Sequence, residues 1–312
     1  MHPEIDNPAR AISLKVSSVF LFVIMASLIK VASEEVPPGE AVFFRSLFAI
    51  PVIVAWLASR GELKTGFRTT SVRAHVFRGL IGTSAMALSF AGLAILPLYE
   101  VKAIQYASPL FVVVLAALML GEKVRKVRLT AVFMGLIGVL IVLWPRLTAF
   151  TDGSADEKLA FGAMVVLSGS LCAAFAQIHV RRMVETEQTA AIVFWFSLTA
   201  TMLALLTLPF GWAVPSPRAA VMLIGAGLIG GVGQILLTSA YRFADTGVIA
   251  PFEYASMLFA VGIGYTVFSE VPTAQQMVGA AVVIAAGVLI ILRERQLKLQ
   301  RGKARQIVTK YG

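Results

Sequence analysis

Glu253, in the run Pro251-Phe252-Glu253-Tyr254, is a carboxylate about two turns inside an apolar stretch. A charged side chain at the centre of a bilayer costs about 2.5–3.5 kcal/mol unless it faces protein or water, which makes it a functional candidate by default. Two chemistries suit it. In a low-dielectric setting it could take up and release a proton through a cycle, or it could hold a polar or cationic group of a ligand. The structural alternative is a helix-to-helix hydrogen bond or a pairing with Arg45, Arg78 or Lys102.

Gln105 stands 148 residues before Glu253, and the neighbours of the two match: Tyr106 and Ser108 in the first case, Tyr254 and Ser256 in the second. Tyrosines near a midplane can stack on a planar ligand and donate a hydrogen bond, though a packed ring with one satisfied hydroxyl is the commoner role. Their paired placement favours binding. Tyr241, Gln177 and Gln234 are candidates of the same kind, since amides also join helices without touching ligand. Arg45 lies about two turns into its stretch, deep enough to meet an anionic ligand group or a carboxylate, yet within reach of the interface by snorkelling. Lys30 and Arg78 lie within about a turn of their stretch ends, so snorkelling is the expected reading for both.

Enzyme chemistry has little to build on. The single cysteine, Cys172, sits in an apolar stretch and allows no disulfide. His2, His75 and His179 are too scattered for a metal centre, no nucleophile stands with a base, and no GxxxxGK[ST] loop offers a nucleotide site. No cofactor is expected. A channel would want a ring of like residues or a filter loop, and neither is visible.

The stretches that carry these residues dominate the chain. Of 312 residues, 58% are hydrophobic and 14% charged, against about 25% charged in soluble domains. Ten apolar stretches read as membrane-spanning helices: Val16 to Ala32, Pro38 to Leu57, Val76 to Ile95, Leu98 to Leu120, Leu129 to Leu143, Lys158 to Val180, Thr189 to Phe210, Ala219 to Ala240, Thr246 to Phe268 and Gln275 to Leu292. Continuous apolar runs without ten-residue alternation exclude a barrel. The first could pass for a signal peptide, but losing it would break the repeat described next. A net charge of +10 on such a chain is no nucleic-acid signature, because it lacks a soluble basic surface. Of the 27 Lys and Arg residues, twenty fall on one side if the amino terminus is cytoplasmic, Arg10 and Lys15 among them, and four on the other, with Arg45, Arg78 and Lys102 inside spans. Both termini are therefore expected in the cytoplasm, with the basic tail drawn to anionic lipid.

At an offset of 148 residues Gly79-Leu80-Ile81-Gly82 matches Gly227-Leu228-Ile229-Gly230, and Tyr106-Ala107-Ser108 matches Tyr254-Ala255-Ser256. Glu122 and Glu270 follow each serine by fourteen residues. One residue further in offset, the run Gly138 to Leu143 matches Gly287 to Leu292. Five helices per repeat is an odd number, so the second repeat enters the membrane from the opposite side. The expected architecture is an all-α integral membrane protein with ten transmembrane helices as two inverted five-helix repeats, residues 1–150 and 151–295, followed by a basic tail, 296–312. Inverted repeats can exchange inward-open and outward-open shapes about a central site, as in secondary transporters. Pro109 and Pro251 are expected to kink or unwind their helices near such a site, and the helix-eight glycines to pack helices within the bundle.

The chain resembles drug/metabolite transporters of the EamA type. The resemblance rests on the five-plus-five plan, on Lys30 and Arg45 flanking the first outer loop, and on Ile104-Gln105-Tyr106-Ala107-Ser108-Pro109-Leu110 leading to Leu120-Gly121-Glu122-Lys123. The second half departs from it, with Met257 in place of proline and Ser269-Glu270 in place of Gly121-Glu122. The resemblance implies a carrier of a small organic metabolite in the bacterial inner membrane, driven by a proton or by the solute gradient. Similarity to bacterial riboflavin carriers of this family points to riboflavin uptake, with export of amino acids or amphipathic metabolites and drugs as the alternative, Glu253 then binding an amine.

Overall fold

The structure is a computed structural model describing residues 7–120, 126–148, 157–183, 186–243, 250–289 and 292. The helices are α1 Pro8–Ala32, α2 Pro38–Ser59, α3 Val72–Leu93, α4 Leu98–Gln105, α5 Ala107–Leu120, α6 Lys126–Thr148, α7 Glu157–Met183, α8 Thr189–Leu205, α9 Pro217–Phe243, a 3-10 turn Ala250–Tyr254 leading into α10 Ala255–Phe268, and α11 Ala274–Leu289. Their starts follow local chemistry. Asn7 Oδ1 accepts from the Arg10 amide and Pro8 opens α1, while the hydroxyls of Ser71 and Ser216 accept from Ala74 and Ala219 at the starts of α3 and α9.

Among the described residues five helices are long and apolar enough to cross a membrane alone, four shorter apolar helices join them, and α4 with α5 forms a composite tenth span. The protein is an all-α membrane protein of ten spans in two inverted repeats. Four expected spans need correction, the ninth because a 3-10 turn, Ala250–Tyr254, precedes its α-helix. The first helix begins at Pro8, so Lys15 lies inside it and not in a flanking loop. The seventh ends at Leu205, after which Pro209 and Gly211, at φ 95°, carry the chain through a 3-10 turn. The fourth is broken at Tyr106.

The packing repeats with the sequence. α1 lies along α9, and α7, its repeat mate, lies along α3, so each repeat's first helix rests on the other's third. α2 and α8 face each other between them. Glycines allow this approach: a Cβ on Gly231 would come within 3.2 Å of the Ala49 Cα, and one on Gly138 within 2.9 Å of the Gly279 carbonyl oxygen. Ile29, Ile53, Leu93, Leu96, Ile104 and Leu223 are fully buried between the layers.

Two carboxylates fasten the repeats at opposite ends of the bundle. In the α7–α8 loop, Glu187 Oε1 accepts from the Thr69 and Thr70 hydroxyls (2.9 and 2.6 Å) and from the Thr70 and Ser71 amides (2.8 and 3.0 Å) at the start of α3. In the α1–α2 loop, Glu35 accepts from the amide and hydroxyl of Ser216 at the start of α9 (3.1 and 2.9 Å). The Ser216 hydroxyl and then its amide hold the Glu35 carboxyl below its ordinary range. For Glu187, burial works to raise the value, but the hydroxyls of Thr70 and Thr69 and the two amides outweigh it and lower it to about 2.

A carboxyl depressed in this way stabilises the fold above its unfolded value of 4.5, and the contribution is lost as pH falls from there through about 2. The full shift would correspond to about 3 kcal/mol; glutamine keeps one acceptor oxygen for the same donors, so about 1–2 kcal/mol is expected for the substitution. Glu187→Gln should therefore lower the thermal midpoint of detergent-purified protein by about 3 °C at pH 7 and remove that part of the acid sensitivity. Equal midpoints at pH 7 would deny Glu187 this role.

Candidate functional site

The break in the fourth span follows from Pro109. Proline has no N–H to return to the carbonyl four residues back, and its ring crowds that carbonyl, which belongs to Gln105. α4 accordingly stops at Gln105 and α5 resumes at Ala107, while the Ile104 carbonyl accepts from the Ser170 hydroxyl of α7 (3.4 Å). Met257 replaces proline in the second half, yet the backbone there makes the same turn: Tyr106 has φ −67°, ψ −7°, and its mate Tyr254 φ −67°, ψ −14°. There the short 3-10 segment Ala250–Tyr254, with Pro251 at its second position, precedes α10.

The two breaks meet. Tyr106 and Tyr254 pack edge to face with ring centroids 5.0 Å apart. The Tyr106 hydroxyl shares a hydrogen bond with Ser256 (2.6 Å) and donates to the Tyr254 carbonyl (3.3 Å). Both rings are buried, and Tyr254 fills the space that a side chain at Gly287 of α11 would need. Ser108 accepts from Gln177 of α7 at 3.5 Å. Tyr106, Tyr254 and Ser256 thus form one contact between the repeats, with both rings committed to protein partners, while Ser108 meets α7 through Gln177.

Beside it lies a charged group. Glu253 forms an ion pair with Lys15 of α1, and Lys102 of α4 adds its charge to the same carboxylate. Lys15 is buried, whereas the Glu253 side chain is 49% exposed although protein surrounds it, so it borders open space within the bundle. Lys102 also donates to the side-chain Oε1 of Gln105 (3.2 Å), and the Gln105 side-chain Nε2 donates to the Ser89 hydroxyl of α3 (2.5 Å), which fixes the orientation of the Gln105 amide. Repeat-related Gln105 and Glu253 therefore both reach cations. The partner of Glu253 is Lys15 and neither Arg45 nor Arg78, because α1 crosses the 3-10 turn directly.

Arg45 stands apart from this group, on α2 facing α8 and α9. It does not snorkel: it is 5% exposed and its guanidinium lies 5.9 Å from the centroid of the Phe196 ring. Arg78, expected to snorkel, instead lays its guanidinium over the same ring at 3.6 Å. The side chain of Tyr241 lies outside the described residues, as does Glu122.

Lys30 closes one end. Its ammonium meets Glu270 Oε1 at 3.1 Å and donates to the Leu96 carbonyl at 2.6 Å, and the second oxygen of Glu270 accepts from the Leu98 amide at the start of α4 (2.8 Å). The left-handed turn at Ser269, φ 55°, brings Glu270 back over the end of α10. The Tyr99 hydroxyl donates to Gln276 at 3.2 Å near by. Sequence reasoning missed Lys15, because hydropathy rises only at Val16, and Ser89, whose hydroxyl carries no signal by type alone.

Comparison with known proteins matches residues 9–144 and 160–293 to the EamA-like transporter family. The chain is similar to the pseudopaline exporter CntI of Pseudomonas aeruginosa (28% identical, over 90% of this chain and 96% of that protein). It is also similar to the riboflavin transporter of Rhizobium johnstonii (27%, over 83% and 82%) and to the S-adenosylmethionine uptake transporter of Rickettsia prowazekii (25%, over 82% and 84%). A solved crystal structure shares the fold with a TM-score of 0.64 at 18% identity, covering 92% of this chain and 98% of its own.

Proposed function

This chain belongs to the EamA-like transporter family and is a secondary transporter, and on that premise we propose that it carries a small, charge-bearing organic metabolite across the bacterial inner membrane by alternating access. The observation that carries the reading is the meeting of two repeat-related broken helices, at Tyr106 and Tyr254, beside the Lys15–Glu253 pair. Irregular backbone at membrane depth is tolerated where it lines a cavity, and here it supplies the polar groups of the central site. Residues 1–150 and 151–295 are the two moving repeats, and residues 296–312 a basic tail held at anionic lipid.

The Lys and Arg distribution supports cytoplasmic termini. With that orientation the Lys30–Glu270 end is the outer one, closed here, and the space beside Glu253 opens inward. Glu253 then takes either a proton or the cargo's cationic group, exchanging it for Lys15 through the cycle.

Two substrates divide the support. Riboflavin uptake draws on the Rhizobium relative and on the tyrosines as a stacking platform. Export of a charged, amphipathic metabolite is favoured, because the tyrosine rings are packed against each other and the groups left to meet cargo are Glu253, Lys102 and Gln105. Everted membrane vesicles and proteoliposomes supplied with amino acids, amphipathic zwitterions and riboflavin decide between them. Uptake of a charged solute into everted vesicles is the expected result; flavin flux, with rescue of a riboflavin auxotroph at limiting vitamin, would install the other substrate, and flux of no solute would end the carrier reading.

A further inference from the structure

Arg45 and Arg78 are two cations at bilayer depth that share one aromatic ring and, among the described residues, no ion pair. The Nε of Arg45 and the Nε and Nη1 of Arg78 are buried without a hydrogen-bond partner, as are the hydroxyls of Ser46 and Thr83, their near neighbours in sequence on α2 and α3. The ion pairs of the described residues join Lys15, Lys30, Arg60 and His75 to carboxylates, and neither of these arginines. Phe196 receives both guanidiniums on its ring, but a cation–π contact leaves the N–H donors unused.

The surroundings make room for them. A Cβ at Gly230 would lie 3.4 Å from the Arg45 Nε, and one at Gly82 would meet the Arg78 guanidinium and the Phe196 ring. Gly82 and Gly230 are the matching last residues of the two Gly-Leu-Ile-Gly runs, so this space belongs to the repeat. The arginines do not: the positions 148 residues on from Arg45 and Arg78 are Val193 and Ala226. Two like charges have been added to a symmetric scaffold where an unpaired buried charge is costly.

We propose that Arg45 and Arg78 form a subsite for a carboxylate or phosphate oxyanion of the transported metabolite, which makes the cargo an organic anion or a zwitterion with an anionic end. The proposal rests on the carrier reading above and names the class of its cargo. Guanidinium forks match the planar oxygens of such groups and remain charged at every working pH. The anion supplies acceptors for the idle donors and separates the two positive charges.

The test is thermal unfolding of the full chain in detergent, titrated with sodium citrate, with inorganic phosphate and with phosphatidylglycerol, against sodium chloride at matched ionic strength. Citrate or phosphate is expected to raise the midpoint saturably, and Arg45→Gln or Arg78→Gln to weaken the apparent affinity by about ten- to a hundredfold each, as loss of a charge-assisted contact would. Without added anion both variants should unfold at or above the wild-type temperature, since each removes an uncompensated charge; a structural role would lower it. Arg45→Lys and Arg78→Lys keep the charge and should retain part of the response. No stabilisation beyond chloride, a response surviving in the doubly substituted Arg45→Gln, Arg78→Gln protein, or a response to phosphatidylglycerol alone would overturn the assignment. Flux of a neutral solute with no anion response would sink this inference while leaving the carrier reading intact.

Discussion

Replacing Glu253 with glutamine is expected to cut transport more than tenfold and to flatten its pH profile, with the protein still present in the membrane at near wild-type level. Three features support so large an effect. The carboxylate borders open space, it is ion-paired with the buried Lys15, and Lys102 adds its charge to the same point. Glutamine keeps the shape and the hydrogen-bonding capacity but removes both the charge and the exchangeable proton. Losing one partner of a buried pair costs about 3–5 kcal/mol, a penalty reduced here by the exposure of Glu253. Lys15→Met leaves only that half-exposed carboxylate, whereas Glu253→Gln leaves the Lys15 charge buried; Glu253→Gln should therefore be the less stable single variant, and the combination Lys15→Met, Glu253→Gln should recover stability without recovering pH dependence. Transport into everted vesicles between pH 6 and 8, normalised to protein level, measures this. An unchanged profile in Glu253→Gln would leave the carboxylate a structural role only.

The second large effect is expected at the other end of the same cycle. Lys30 ties α1 to the α3–α4 loop through the Leu96 carbonyl and to the second repeat through Glu270, which also caps α4. These contacts must part if that end is to open. Lys30→Met removes the ion pair, so the population should shift toward the state open at the Lys30 end; about 1.4 kcal/mol lost from the closed state alone is a tenfold shift. In a Cys172→Ser background with a cysteine placed at Ser89, labelling by a membrane-impermeant maleimide from the outer face should rise about tenfold, and net transport should fall because the closed state is visited less. Glu270→Gln should act in the same direction. Labelling equal to that of the parent would mean that the pair is not a gate.

Much of the plan was legible in the residues because it depends on quantities a chain displays openly. Ten spans, the inverted repeat and the pairing of the Tyr106 and Tyr254 segments follow from hydropathy and from matched strings, and the broken helix at Gln105 follows from Pro109. Partner choice was less legible. Lys15 lies next to a hydropathy boundary; the Asn7-Pro8 cap starts α1 a full two turns earlier, but nothing in the neighbours of Lys15 says that it faces the 3-10 turn. Arg78 reads as a residue near a helix end; its inward course depends on the space at Gly82 and on a phenylalanine more than a hundred residues away. The second helix break is the most instructive case: Met257 stands where the first half has proline, yet Pro251 lies in the 3-10 turn, and Tyr254 at its end packs against Tyr106 and fills the space at Gly287.

The exchange of helices between the repeats bears on how the chain matures. α3 lies along α7, and the Thr70 and Ser71 amides just before it are held by Glu187, so the leading half does not complete its packing from its own residues. Until α7 and α8 have been synthesised and inserted, the faces of α3 that meet them, Gly92 against α7 and Gly79 and Gly82 against α8, must be covered by lipid or by the insertion machinery. A ribosome that stops after residue 150 therefore releases a half-product with an open seam. Quality control can recognise that seam, and two halves made as separate chains could close it on each other.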